Sequence, residues 1–185
     1  LVRLVDDLLD VSRVTRGKIE LKVERVELAR VTDKAVEMAS LLVEQRRHQL
    51  EVEIEPGLAW EGDPVRLAQV VSNLLTNAAR YTEPGGRIWL RARHDGLDAI
   101  EISVRDTGIG LAPEVREQVF ELFFQGKRSI DRAEGGLGIG LALVKNIVEL
   151  HGGSVHAHSE GRGQGSEFVV RLPLRSAALV QAPLE

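Results

Sequence analysis

Cysteine is absent from the 185 residues. That excludes a disulfide framework, a cysteine-ligated zinc site, an iron–sulfur cluster and a thiol nucleophile. No apolar run reaches the roughly 18 residues a membrane span needs. No charged, apolar and small-residue leader marks a signal peptide. A basic excess is missing too, since 24 Lys and Arg face 28 Asp and Glu, for a formal net charge of −4. Non-specific nucleic-acid binders show the opposite balance, so no nucleic-acid partner is expected. A local basic site for an anion remains allowed. The 43% hydrophobic and 28% charged content is that of an ordinary soluble globular chain. The length suffices for one domain with a core and a short appendage.

The N-terminus has no helix cap and no initiating Met. Leu1, Leu4, Leu8 and Val11 follow a 3-4-3 seam with charged flanks. The pattern predicts a helix over 1–16, either a cut piece of a longer coiled or bundled helix or a simple amphipathic helix on its own domain. Alternating residues predict a strand over 18–27. A helix is expected over 28–47 and a strand over 49–54, followed by a turn at Pro56-Gly57. Asp63 as N-cap with Pro64 behind it predicts a helix from there to Tyr81. Strands are expected over 87–94 and 99–106, a short helix from Pro113, a loop over 126–136 and a helix over 137–150. Two closing strands, 154–159 and 166–172, precede a weakly patterned tail. Neighbouring strands close enough to form hairpins argue for a mixed or antiparallel sheet with helices on one face, an α+β fold.

Three segments carry possible chemistry. Ten of the 18 glycines lie between Gly126 and Gly165. Their centre, Gly135-Gly136-Leu137-Gly138-Ile139-Gly140-Leu141, leads into a helix, where backbone N–H groups can converge on an anion. It matches neither a P-loop nor a dinucleotide G-x-G-x-x-G, and a flexible Gly hinge has the same appearance. Asp106-Thr107-Gly108-Ile109-Gly110 ends a strand. An ionised Asp only accepts hydrogen bonds, so it can read an exocyclic amine, and flanking glycines let a flat ring approach. A plain Asp-Gly turn reads alike. Gln69, Asn73, Asn77 and Arg80 share one helix face. Two Asn at i, i+4 are poor helix formers. Their amide oxygens suit a hard cation such as Mg²⁺, and Arg80 suits a phosphate. An exposed polar face is the plainer alternative. The three together, in this order, are more specific than any one.

In that order the chain resembles the catalytic ATP-binding domain of bacterial two-component sensor histidine kinases, whose fold is shared with gyrase B and MutL. Residues 70–82, VVSNLLTNAARYT, resemble the N box. DTGIG at 106–110 resembles the first glycine box, and FELFFQ at 120–125 the F box. Residues 135–153 resemble the second glycine box, and GRGQGSEF at 161–168 the last. The resemblance implies a two-layer α/β sandwich of the Bergerat type with a mixed, mostly antiparallel sheet, preceded by a partial helix. It implies the end of a second dimerisation helix at 1–16, a catalytic domain at 17–174 and a disordered tail at 175–185.

It further implies ATP and Mg²⁺ as cofactors. Asn77 would hold Mg²⁺, with Asn73 beside it. Arg80 would meet phosphate and Tyr81 would line the pocket. Asp106 would bind the adenine amine, with Gly108, Ile109 and Gly110 around it. Phe120, Phe123 and Phe124 would anchor a lid over 126–136 in which Lys127 and Arg128 are candidate phosphate contacts. Gly136, Leu137, Gly138, Ile139, Gly140 and Leu141 would wrap the phosphates, and Ser166 would sit near the adenine. Partners would be the parent's own dimerisation and phosphoacceptor domain and a response-regulator receiver. The parent would be a homodimer, and this chain a monomer or weak dimer. The domain would be cytoplasmic, in a parent either anchored or soluble.

None of the five histidines, His48, His94, His151, His156 and His158, sits in an H-E-x-R-x-P setting. The phosphoacceptor would therefore lie upstream, and turnover by this chain alone should be small. All five read as surface or structural residues. His151, ending a helix, sits where a cation is favoured. Gyrase-type relatives use a Glu base at the position of Asn73. Asn cannot take a proton from water, which disfavours a water-directed ATPase. A non-catalytic nucleotide-binding module is the third reading, and the intact boxes give it no support.

Overall fold

The computed structural model describes residues 20–124 and 138–175. The expectations for the helix at 1–16, for the loop over 126–136 with Lys127, Arg128 and Gly136, for Leu137 and for 176–185 lie outside the described residues.

Five strands form the main sheet, in the order β2-β4-β5-β7-β6. They are β2 (Gln49–Ile54), β4 (Arg87–Asp95), β5 (Ala99–Asp106), β6 (Ser154–His158) and β7 (Ser166–Pro173). Only β2 and β4 are parallel; the other three pairings are antiparallel. Among the described residues three helices cover one face: α1 (Leu28–Gln45), α2 (Pro64–Tyr81) and α3 (Gly140–Leu150). The α+β reading holds, with α2 packed between α1 and α3.

Register follows from the period-two alternation. Ile88, Leu90 and Ala92 of β4 point toward the helices, as do Ile100, Ile102 and Val104 of β5 and Phe168, Val170 and Leu172 of β7. All nine are buried. Leu90 pairs with Val104, which pairs with Phe168. A one-residue slip would send this whole row to solvent. The opposite face carries exposed cross-strand ion pairs, Arg91–Glu53 at 2.9 Å and Arg93–Glu101 at 2.7 Å. Exposed pairs of this kind add little stability.

Helix α2 begins as its sequence predicts. Asp63 Oδ1 accepts from the N–H groups of Val65 and Arg66, both at 3.1 Å, and Pro64 fills the first position. Leu67, Val70, Val71, Leu74, Leu75 and Ala78 bury its apolar face.

Several boundaries differ from the sequence reading. Of the strand expected over 18–27, the described residues, from 20 on, are regular only at β1 (Glu24–Glu27). It pairs with β3 (Ala59–Gly62), four residues the alternation does not flag, and the partner's length limits its own. Residue 113 opens a single 3-10 turn, Pro113–Val115, and a second covers Gln118–Phe120. Helix α3 starts at Gly140 rather than 137. Gly138 has a left-handed φ of +70°, which a helix cannot include.

His151 is structural, in keeping with the sequence reading. It ends α3, and it is buried and neutral, so the cation that a helix end favours is not realised. Its Nδ1–H donates to Ile147 O at 2.8 Å, and its Nε2 accepts from the Asp63 N–H at 3.1 Å. Accepting at Nε2 leaves no room for a second ring proton. Burial pushes its pKa below the ordinary value of 6.5. The Ile147 bond and the Asp63 charge oppose this and do not win. Below pH 6.5 the unfolded chain therefore takes a proton that the native one refuses. This stability is complete above that pH and is lost on acidification toward the depressed native pKa. The melting temperature should fall between pH 7 and 5, and fall less in His151→Gln. Parallel curves for the two proteins would refute the assignment.

Candidate nucleotide site

Asp106 is the last residue of β5. Because Ile100, Ile102 and Val104 precede it at period two, it faces the helices and is 3% exposed. The β5–β7 register sets Ser166 directly opposite. The Ser166 hydroxyl donates to Oδ2 at 2.6 Å. Oδ1 accepts from Gly108 N–H at 2.7 Å and Ser166 N–H at 3.3 Å. A carboxylate has about four accepting positions. Three are used, and the remaining one, on Oδ2, can take an external N–H. Burial raises the Asp106 pKa above 3.8, against the opposing pull of the Ser166 hydroxyl, the Gly108 and Ser166 amides and the Thr82 hydroxyl.

Thr82 was not singled out by the sequence. It follows α2 and is buried, and its hydroxyl lies close enough to Asp106 to weigh against the rise in that carboxyl's pKa, but outside hydrogen-bond geometry to Asp106 or to any other described residue. A buried unpaired hydroxyl beside a carboxylate suits a polar ligand or a bridging water. Only its place just past Tyr81 hinted at this.

The floor beside Asp106 is built from backbone. Ile109 N–H donates to Tyr81 O at 3.0 Å, tying the loop to the end of α2. A Cβ at Gly108 would lie 2.4 Å from Tyr81 O and 2.7 Å from Asp106 Oδ1, so only glycine fits. Gly163 N–H donates to Ile109 O at 2.7 Å and Gly165 N–H to Gly108 O at 3.0 Å. Ser159 locks the two loops together: its Oγ accepts from Leu111 N–H at 3.0 Å and donates to Gly165 O at 2.7 Å. Ser159 also escaped sequence reading, because nothing in its spacing marks it.

The start of α3 faces Asn73. Asn73 Nδ2 donates to Gly140 O at 3.4 Å, a long bond, and Oδ1 remains an acceptor. A Cβ at Gly140 would sit 3.9 Å from that amide, so the protein itself does not crowd the position. Ile139 gives α3 no side-chain cap. The N–H groups of Gly140, Leu141 and Ala142 thus lack intrahelical partners, an arrangement that can receive an anion. Helix α2, by contrast, has its start closed by Asp63. Asn77 lies one turn beyond Asn73, half-buried.

Other predicted residues sit elsewhere. Arg80 is exposed and lines a groove of about 520 Å³ with Leu42, Gln45, Arg46 and Pro84, at the ends of α1 and α2. Tyr81 is half-buried and contributes its carbonyl to the floor. Phe120 is buried, edge-on to Phe168 with ring centroids 6.0 Å apart, and Phe124 is half-buried. Phe123 does not pack inward. It has φ +63° and is 62% exposed, because the turn directs its N–H to Gly138 O at 3.1 Å. His48 is buried against Ala79 O, and His94 pairs with Glu55. His156 and His158 share the exposed face of β6. The described residues contain no cluster of three or more acidic or histidine side chains able to hold a metal.

A buried acceptor beneath a glycine floor, facing a paired-Asn helix and an uncapped helix start, defines an ATP-binding domain of the histidine-kinase type. Residues 62–176 match the model of the family "Histidine kinase-, DNA gyrase B-, and HSP90-like ATPase", and the chain belongs to that family. It is 39% identical over 178 residues to the circadian input-output histidine kinase CikA of Synechococcus elongatus, covering 94% of this chain and 23% of that protein. It is 35% identical to the sensor histidine kinase RcsC of Escherichia coli, covering 98% of this chain and 19% of that one. The chain thus spans about a fifth of these relatives' length. Among solved structures, full-length ShkA in complex with AMPPNP aligns with a TM-score of 0.82 and 32% identity, over 98% of this chain and 37% of ShkA. The mycobacterial sensor histidine kinase MprB aligns at 0.70 and 32%, over 83% of this chain and 98% of that one. No helix among the described residues is long and apolar enough to cross a membrane.

Proposed function

We propose that this chain binds Mg·ATP as the catalytic domain of a sensor histidine kinase and donates the γ-phosphate to a histidine of an upstream dimerisation helix. The observation that carries the reading is the Asp106 carboxylate, buried, three-quarters satisfied by the protein and with one acceptor position open. That position accepts the adenine N6–H. The Thr82 hydroxyl, Ser166 and the floor of Gly108, Ile109 and Gly110 complete the base pocket, with Tyr81 and Phe124 at its sides. Phosphates meet the free N–H groups of Gly140 and Leu141, with Gly138 and Ile139 leading in. Asn77, with Asn73, supplies neutral amide oxygens for Mg²⁺, which when bound neutralises phosphate charge. The residues present fit such an ion, since a hard cation on phosphates needs only one or two protein oxygens. Arg80, exposed at the end of α2, is the phosphate-contacting cation of that helix in this reading. Lys127, Arg128, Gly136 and Leu137 complete the phosphate side in this reading.

Residues 1–16 are the end of the dimerisation helix, 17–174 the catalytic domain and 175–185 a tail. The partners are the parent's own phosphoacceptor helices, in a homodimer, and a receiver domain with an acceptor aspartate. The domain works in the cytoplasm.

The test is calorimetric titration with ADP and a non-hydrolysable ATP analogue, with and without Mg²⁺. Labelled ATP is then added, with and without separately prepared upstream helices. Saturable binding, and acid-labile phosphate on the helices only when they are supplied, is expected. Folded protein that binds no adenine nucleotide would refute the reading. Rapid ATP hydrolysis without an acceptor would instead favour the water-directed ATPase.

A further inference from the structure

Asp63 makes more bonds than a helix cap requires. Capping uses Oδ1, which accepts from Val65 and Arg66. Oδ2 is free for something else, and it accepts the backbone N–H of Lys22 at 3.0 Å. Lys22 lies in the segment that leads into β1, 41 residues earlier in the chain. The Asp63 N–H, in turn, donates to His151 Nε2 at the end of α3. One residue therefore joins the entry segment, the start of α2 and the end of α3.

The lengths of the two helices give this node leverage. Ten residues separate Asp63 from Asn73, and eleven separate Gly140 from His151. At 1.5 Å per residue the spans are about 15 Å and about 16.5 Å, a near match. Helices α2 and α3 therefore lie antiparallel and are tied twice, at Asn73–Gly140 and at Asp63–His151. The first tie is long and lies in the phosphate cradle. The second is buried, with the Trp60 ring tilted against the His151 ring at 5.1 Å between centroids and the Trp60 Nε1–H on Pro173 O at 3.1 Å.

We propose that Asp63 is a positioning residue for the nucleotide cradle. Its second carboxylate oxygen and its amide couple the docking of residues 20–27 to the spacing of α2 and α3. The inference rests on the nucleotide reading above. Coupling is reciprocal, so nucleotide must tighten the entry segment by the same factor as the docked segment tightens nucleotide. A cap alone would have no such effect.

Asparagine caps a helix as well as aspartate does, but its Nδ2 cannot accept from Lys22. Asp63→Asn thus cuts the strap and spares the cap. Lys22→Pro cuts the same bond from the other side by deleting the N–H. Hydrogen exchange at Lys22 and ADP titration are measured on the full chain. In wild type, ADP should slow Lys22 exchange. In Asp63→Asn that exchange should be at least tenfold faster and insensitive to ADP, with ADP affinity three- to tenfold weaker. Lys22→Pro should weaken ADP by the same factor, and it decides the matter if Asp63→Asn does not fold. His151→Leu should weaken ADP, and His151→Gln, whose Oε1 can accept from Asp63, should restore it. Wild-type ADP affinity in both strap variants, or Lys22 exchange that ignores ADP in wild type, would overturn the role of Asp63 alone. Failure of wild type to bind ADP would instead overturn the nucleotide reading.

Discussion

Asp106→Asn should weaken ADP binding at least 100-fold while the protein stays folded. Asparagine keeps an oxygen for Gly108 and Ser166 N–H, the bonds Oδ1 accepts now. Its Nδ2 takes the place of Oδ2. The Ser166 hydroxyl can rotate to accept from that nitrogen, so the protein adjusts. The adenine amine cannot adjust. It meets a second donor where it needs an acceptor, and a buried unpaired N–H is left on each side. A lost charge-assisted bond of about 1.5–3 kcal/mol plus such a penalty exceeds the roughly 2.7 kcal/mol that 100-fold represents. Stability should hold or rise, because burial already disfavours the charged form of Asp106. Its pKa is raised, so between 3.8 and that higher value the native state binds more protons than the unfolded one, and ionisation costs stability as pH rises. Wild-type ADP affinity should accordingly weaken on acidification before the ordinary carboxylate range is reached, and Asp106→Asn should show no such slope. Calorimetry with a parallel thermal melt checks both. Near-native affinity in the variant would remove Asp106 from the pocket.

What the sequence made legible had local causes. Helix α2 could be placed because Asp63 and Pro64 act on the next three residues, and its Asn face because helical spacing is fixed. β4, β5 and β7 were legible because alternation records a buried face. Asp106 fell into place from the same alternation. What stayed hidden depends on residues far apart in sequence. β3 is four residues, AWEG, and its strand pairing comes from β1 and from the chain near Arg175. His151 stands at a helix end, where the dipole favours a cation. Its neutrality comes from burial under Trp60 and from an amide 88 residues away. The unpaired Thr82 hydroxyl is visible only once β5 has brought Asp106 beside it. Phe123 follows an F-box pattern, yet the left-handed turn that joins it to Gly138 points it outward. Such facts belong to tertiary packing, which local pattern does not encode.

Two glycines of one loop separate backbone freedom from close approach. Gly163 and Gly165 both have left-handed φ, +77° and +71°. A side chain at either pays the backbone cost, about 1 kcal/mol. At Gly163 that is all, since nothing lies within 4 Å of an added Cβ. At Gly165 the Cβ would stand 2.0 Å from Asp106 O and 3.1 Å from Thr107 Cα. Both are main chain, at the last residue of β5 and the one after it, so neither can swing aside. Either β5 and β7 part there, breaking the Asp106–Ser166 bonds, or the loop tears away from Gly108. We expect Gly165→Ala to cost about 3 kcal/mol or more, since overpacking and backbone strain add. For a chain of this size that is a fall in melting temperature of about 6–12 °C. ADP binding should be lost with it, because the displaced atoms carry the adenine acceptor. Gly163→Ala should lose only about 2–4 °C and keep ADP affinity within a few-fold. Thermal melts and ADP titration of the two variants side by side test the contrast. Equal effects at the two positions would mean that the loop does not press on Asp106, and that the carboxylate is held by Ser166 and Gly108 alone.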